Sequence, residues 1–218
     1  MNSDYSLQRT KMVDGQLRTT DVTDTAILDA MHDVPREEFV PRRLQALAYI
    51  DEDLEVAPGR YLMEPSPFAR LIQLAGIKPA DFVLDVGCAT GYSAAVLSRI
   101  ASSVVALESD SELAGSAGET LARLGYDNAV VVERALGGGL PDEAPYDVIV
   151  IEGAVDEVPD ALFHQLRDGG RLVAVIGEGG SGIAHLFVKD GDAVASRRVF
   201  NCAVRSLPGF QKAPEFQF

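Results

Sequence analysis

The 218-residue chain predicts a doubly wound α/β fold: a mainly parallel seven-stranded sheet with antiparallel C-terminal strands, preceded by an N-terminal helical cap. Three patterns carry that reading. From residue 81 onward, five near-continuous Val/Ile/Leu runs alternate with helical or loop segments, as strands of a parallel sheet buried on both faces do. An Asp-Gly pair separates two later runs of strand character. Before residue 81 the apolar residues fall at loose helical intervals instead.

Leu7, Met12, Val13 and Leu17, then Val22, Ile27, Leu28 and Met31, set the helical spacing of the cap. VPREEFVP (34–41) is a proline-bounded link to a further helix, RRLQALAY, and GRYLMEPSPF (59–68) bridges the cap to the α/β part. FVLDV (82–86) is a short apolar strand ended by Gly87, and SAAVLSRIA (93–101) has helical spacing through Ala94, Val96, Leu97 and Ile100. SVVALES (103–109) is the second strand. The helix through Leu113, Ala117, Leu121 and Leu124 stops at Gly125. NAVVVE (128–133), YDVIVIE (146–152), a helix over PDALFHQLRD closed by Gly169 and Gly170, and RLVAVIG (171–177) complete the alternation. IAHLFVK and AVASRRVF flank Lys189-Asp190-Gly191-Asp192 as a hairpin. The expected organisation is a cap and linker over 1–80 and a core with its C-terminal hairpin over 81–218, in one compact domain.

Composition narrows the function classes. At 47% hydrophobic the chain can bury a sizeable core. No run approaches the roughly 20 apolar residues of a membrane span, and MNSDYSLQRTK lacks the basic-then-apolar order of a signal peptide, so the expectation is a cytoplasmic protein without a membrane partner. Cys88 and Cys202 are too few for a disulfide framework, and His32, His164 and His185 are scattered, so no metal site is expected. The formal charge is -14, and residues 81–160 alone carry 15 acids against 3 arginines. Such a field repels phosphate, which disfavours nucleic acid as a partner; most of these acids read as solvated surface.

LDVGCATGYS (84–93) is the strongest chemical signal. In an open parallel sheet, ligands bind outside the carboxyl ends of the strands, where a glycine turn lets backbone approach them at a helix N-terminus. No Gly-Lys-Ser/Thr follows, so the loop is not a Walker loop. A dinucleotide fingerprint would place its glycines at Gly87, Ala89 and Tyr92, and two of those three fail. Asp85 precedes the loop and Glu108 ends the next strand; an acid about 20 residues beyond the glycines commonly accepts the ribose hydroxyls of a bound nucleoside. That fits NAD or S-adenosylmethionine. Asp85 favours S-adenosylmethionine, because a carboxylate beside the loop repels a diphosphate and suits an ammonium and a sulfonium. A dehydrogenase is the other ligand reading, and a tight turn without a ligand is the plain structural one. Cys88 reads as a small loop filler, since no nearby histidine activates it.

These segments resemble the protein-L-isoaspartate O-methyltransferases, a family of class I S-adenosylmethionine-dependent methyltransferases. MVDGQL (12–17), VPREEFVP, ALAYIDEDLEV (46–56), VLDVGCATGYSAAVLSRI, APYDVIV (144–150) and QLRDGGRLV (165–173) look like that family's segments in its order. The resemblance implies a Rossmann-like methyltransferase fold, S-adenosylmethionine as cofactor, and methyl transfer to the free carboxylate of an isoaspartyl residue in a damaged protein or peptide. It also implies donor contacts: Asp85, Gly87 and Gly91 on the methionine side with Cys88, Ala89 and Tyr92 along the same loop, Glu108 with Ser109 at the ribose, and Ala135 and Leu136 at the adenine position.

Two positions depart from the family pattern. A Thr-Ile-Ser-Gln-Pro-like stretch, whose hydroxyls lie at the methyl donor and acceptor, here reads Tyr61-Leu62-Met63-Glu64-Pro65. The Gly-Asp-Gly after the third strand, whose Asp reaches adenine, here reads Arg134-Ala135-Leu136. Tyr61, Met63 and Glu64 are therefore the substrate-facing candidates, and no catalytic residue is assigned. A carboxylate acceptor is already ionised at neutral pH and mainly needs alignment with the methyl group and the sulfur. An inward Glu64 would repel it or serve as general base for a different acceptor; an outward Glu64 would leave Met63 merely packing. A non-catalytic relative that keeps the fold is the remaining alternative.

Overall fold

The computed structural model describes residues 4–177 and 181–211. The aromatic residues Phe216 and Phe218 near the end of the sequence lie outside them. Seven strands form the main sheet: β3 (Phe82–Val86), β4 (Ser103–Glu108), β5 (Ala129–Glu133), β6 (Tyr146–Val155), β7 (Leu166–Ile176), β8 (Gly182–Asp190) and β9 (Ala193–Cys202). Their order is β5-β4-β3-β6-β7-β8-β9. The β3–β4, β4–β5, β3–β6 and β6–β7 pairs are parallel, and β8 and β9 join antiparallel, as expected from the sequence. The chain runs outward from β3 to β5 and then returns to β6, so the order reverses between β3 and β6. That reversal opens a crevice at their carboxyl ends.

Helices cover both faces. α4 (Tyr92–Ile100) and α5 (Ser111–Leu124) follow the first two core strands, and Gly91 and Gly125 occupy left-handed positions at the start of α4 and the end of α5. Asp110 caps α5 by accepting hydrogen bonds from the Glu112 and Leu113 N–H groups at 3.0 Å. Among the buried residues of β3, Val83 belongs to the apolar cluster on the cap side, while Leu84 and Val86 belong to the opposite cluster.

The N-terminal part contains α1 (Tyr5–Met12), a π-helical turn over Val13–Leu17 and α2 (Thr25–Asp33). Three differences from the sequence reading stand out. RRLQALAY holds only 3₁₀ turns over Arg42–Leu47. The bridging segment contributes a strand, β2 (Arg60–Leu62), paired antiparallel with β1 (Leu54–Ala57), before α3 (Pro65–Ala75) begins on its proline. The helix expected over PDALFHQLRD is only α6 (Asp160–His164), and β7 starts at Leu166. Gln165 accounts for the early stop: its side chain donates to the Gly138 and Ala161 carbonyls and accepts from the Leu140 N–H, a buried network that turns the chain at that point.

Arg36 and Arg171 tie the layers together. Arg36, fully buried, donates to the Ala48 carbonyl at 2.7 Å and the Met63 carbonyl at 2.8 Å, and its guanidinium lies 4.7 Å from the Tyr92 ring centroid. Arg171 of β7 donates to the Ala75 and Gly76 carbonyls at the end of α3 and pairs with Asp81 at 2.6 Å. Among the described residues, no helix is long and apolar enough to cross a membrane.

Candidate donor and acceptor site

The site is built where β3, β4 and β6 end. Gly87 and Gly91, at φ +90° and +91°, hold left-handed backbone, and the Gly87 and Cys88 N–H groups donate to the Leu107 carbonyl at 2.8 and 3.0 Å. The glycine loop is thereby fixed to the end of β4. Ala89, where the sequence lacks a glycine, still adopts φ +48°. Its N–H donates to Glu108 Oε2 at 2.8 Å, which offsets part of the roughly 1–2 kcal/mol that a left-handed residue with a β-carbon costs.

Asp85 is completely buried. Its Oδ2 accepts from Ser93 Oγ at 2.7 Å, and its Oδ1 has no hydrogen-bond partner among the described residues. Burial pushes its carboxyl up to about 7, with Ser93 opposing the shift and Glu108 adding to it. Glu152, in β6 just past the stretch paired with β3, is likewise pushed well above the usual carboxylate range by burial and by Asp85, and its Oε1 is also without a partner among the described residues. Glu152 is not among the residues expected at the site from the sequence. The signal for it is an acid ending the apolar run YDVIVIE; the strand register sets it level with Glu108 and two residues beyond Asp85.

Glu108 is also completely buried, but its carboxylate is fully engaged. Oε1 accepts from the Ser109 N–H at 2.7 Å and the Asp110 N–H at 3.1 Å, while Oε2 accepts from the Ala89 N–H and forms an ion pair with Arg60. With a longer contact from Ser109 Oγ at 3.4 Å, donors from four residues take the roughly four lone-pair directions of a carboxylate. Arg60, 6% exposed, also donates to the Gly87 carbonyl at 3.2 Å. No sequence pattern marked Arg60, which lies 48 positions from the acid it pairs with.

The acceptor-side candidates separate. Tyr61, Leu62 and Met63 line a cavity of about 10 Å³ with Phe68, the Gly87–Ala89 turn, Tyr92, Ser93 and Glu152, room for about one water. Glu64 is not among its lining residues. Its N–H donates to Asp53 Oδ1 at 2.8 Å, and its carboxyl is pushed up to about 7 by partial burial and by Asp51, Asp53 and Glu52. Cys88 is buried, and burial with the adjacent Asp85 and Glu108 raises its thiol well above the ordinary value, which keeps it protonated and unreactive. Leu136 is buried in the apolar cluster that contains Val86, Leu140 and Ile151. Ala135 ends the loop that follows β5, and Arg134 donates its N–H to the Glu108 carbonyl oxygen at 2.9 Å.

The strand reversal, the glycine loop and the acids ending β3 and β4 define a Rossmann-like α/β protein with a nucleoside-type ligand site. Comparison with known proteins makes the assignment narrower. The family model of the protein-L-isoaspartate(D-aspartate) O-methyltransferases matches residues 7–208, and the chain belongs to that family. A protein-L-isoaspartate O-methyltransferase of Koribacter versatilis (strain Ellin345) is 44% identical over 173 residues, 79% of this chain and 78% of that one. Another, from Roseiflexus castenholzii (strain DSM 13941 / HLO8), is 38% identical over 94% of this chain and 93% of its own. A solved protein-L-isoaspartate O-methyltransferase superposes with a TM-score of 0.82 at 29% identity, over 93% of this chain and 67% of that one. A Plasmodium falciparum protein solved in complex with S-adenosyl-L-homocysteine shares the fold, with a TM-score of 0.76 at 20% identity over 92% of this chain and 98% of that one.

The residues fit S-adenosylmethionine on its methionine side. Asp85 presents a buried carboxylate oxygen without a partner among the described residues, at the start of a glycine loop, as an ammonium requires. Glu108, the ribose candidate, already has both carboxylate oxygens engaged by protein donors, Arg60 among them.

Proposed function

We propose that this protein is an S-adenosylmethionine-dependent O-methyltransferase acting on a carboxylate of a protein or peptide, with the isoaspartyl carboxylate as acceptor. The observation that carries the reading is the free oxygen of buried Asp85 beside the glycine loop, in a chain whose family acts on that acceptor. S-adenosylmethionine supplies an electrophilic methyl group on a sulfonium. Asp85 holds the cationic methionine end, Glu108 is the ribose acceptor, and Leu136 packs at the adenine position. Tyr61 and Met63 shape the wall on which the acceptor would align.

The acceptor carboxylate is ionised at neutral pH, so these residues contribute orientation and exclusion of water rather than a general base. Tyr61 carries the only side-chain hydroxyl between Gly59 and Pro65, and it is the remaining candidate for orienting the acceptor. Glu64, turned to the acidic 51–53 loop, draws no geometric support as a base at the reacting centre. The same reading has a protein or peptide partner, neither nucleic acid nor membrane, and a cytoplasmic setting.

The test is incubation with tritiated S-adenosylmethionine and a matched pair of peptides. Base-labile methyl ester on the isoaspartyl peptide and none on the aspartyl control is the expected result. No ester on either rejects the activity.

A further inference from the structure

The last described residues cross the crevice. The Ala154 N–H donates to the Arg205 carbonyl at 2.9 Å, and the Leu207 N–H donates to the Ala154 carbonyl at 2.8 Å, a one-residue parallel bridge at Ser206. Leu207, 3% exposed, is thereby pressed between two glycines at the strand reversal. A β-carbon placed on Gly87 would fall 2.7 Å from Leu207 Cδ1, and one on Gly153 would fall 2.9 Å from Leu207 Cβ. Phe210, 5% exposed, joins Leu207, Leu136 and Leu140 in one apolar cluster, and Arg205 lies over the Tyr61 ring at 5.4 Å. The donor-facing side of the glycine loop is therefore covered by the chain itself. Arg60 takes up the remaining lone-pair direction of Glu108.

We propose that residues 204–210 form a strap that closes the adenosyl half of the donor cleft, and that donor binding requires Leu207 to leave the Gly87–Gly153 seat and Arg60 to leave Glu108. The proposal rests on the donor reading above. Two features make the strap a closing device. It is held to β6 by two backbone hydrogen bonds, so opening is a local event rather than global unfolding. The side chain that seals the cleft belongs to the strap, so release exposes Gly87 without disturbing β3 or β4.

The experiment uses the full chain and S-adenosylhomocysteine as probe. Leu207→Ala is expected to bind it at least about tenfold more tightly than the wild type by calorimetry, because a closed state populated above about 90% lowers apparent affinity by that factor. In the wild type, saturation with S-adenosylhomocysteine is expected to remove the hydrogen-exchange protection of the Leu207 and Ala154 amides. A folded Leu207→Ala that binds no more tightly, or amides that stay protected at saturation, overturns the strap while leaving the donor reading in place. Should Leu207→Ala not fold, the exchange measurement on the wild type decides alone. Absence of binding to both proteins overturns the donor reading, and the strap with it.

Discussion

At the scale of single residues, the site combines one satisfied acid with two that are not. Glu108 has donors from four residues, whereas Asp85 has Ser93 alone and Glu152 keeps an oxygen without a partner among the described residues. Burial first, and Glu108 next, raise the Asp85 carboxyl to about 7, so near neutral pH it is divided between its acid and its ionised form. Only the ionised form attracts an ammonium. Donor affinity is therefore expected to rise as pH increases from 6 to 8, with proton release on binding, as read by calorimetry in two buffers of different ionisation enthalpy. Asp85→Asn is expected to weaken binding about tenfold or more at pH 8 and to abolish that pH dependence, since a neutral amide leaves the ammonium unpaired. Asp85 and Glu108 are legible in the sequence because each ends an apolar strand next to a turn. Arg60 is not, because its partner is 48 residues away and only the packing of β2 against the loop joins them.

At the scale of elements, strands declare themselves better than the short helices do. β3, β4 and β6 are largely buried on both faces and appear as near-continuous apolar runs. α6 is cut short by Gln165, whose role depends on the Gly138, Leu140 and Ala161 backbone around it and not on local propensity. β6 carries the most specific element-level test. Gly153→Ala would put a methyl group 2.9 Å from Leu207 Cβ and 3.1 Å from the Arg205 carbonyl oxygen, so the strap must shift. The expected cost is about 1–3 kcal/mol of stability in urea denaturation, together with faster exchange of the Leu207 amide. An unchanged midpoint and unchanged exchange would show that the strap does not need the glycine.

At the scale of the whole molecule, the cap and the sheet share one apolar cluster, with Leu28 and Met31 of the cap alongside Val83 and Val148 of the sheet, and buried Arg36 lies over the Tyr92 ring of α4. Arg36 reaches from the cap to the Ala48 and Met63 carbonyls, and so anchors the acceptor-side segment from behind. Arg36→Met is expected to destabilise the fold by about 2–4 kcal/mol by leaving two buried carbonyls without their donor, visible as a lower denaturant midpoint at unchanged slope. A shift below 0.5 kcal/mol would mean that the cap docks through its apolar contacts alone.

The sequence by itself determined the doubly wound sheet, the antiparallel finish, the glycine loop with its two acids and the family likeness, because each is written in neighbouring residues as a period, a turn or a motif. Only the tertiary structure decided that Arg60 sits on Glu108, that Glu64 turns toward the 51–53 loop, and that Leu207 fills the space over Gly87. Those contacts join residues far apart in the chain, where apolar burial and the pairing of buried charge choose the partner and local pattern carries no record of it.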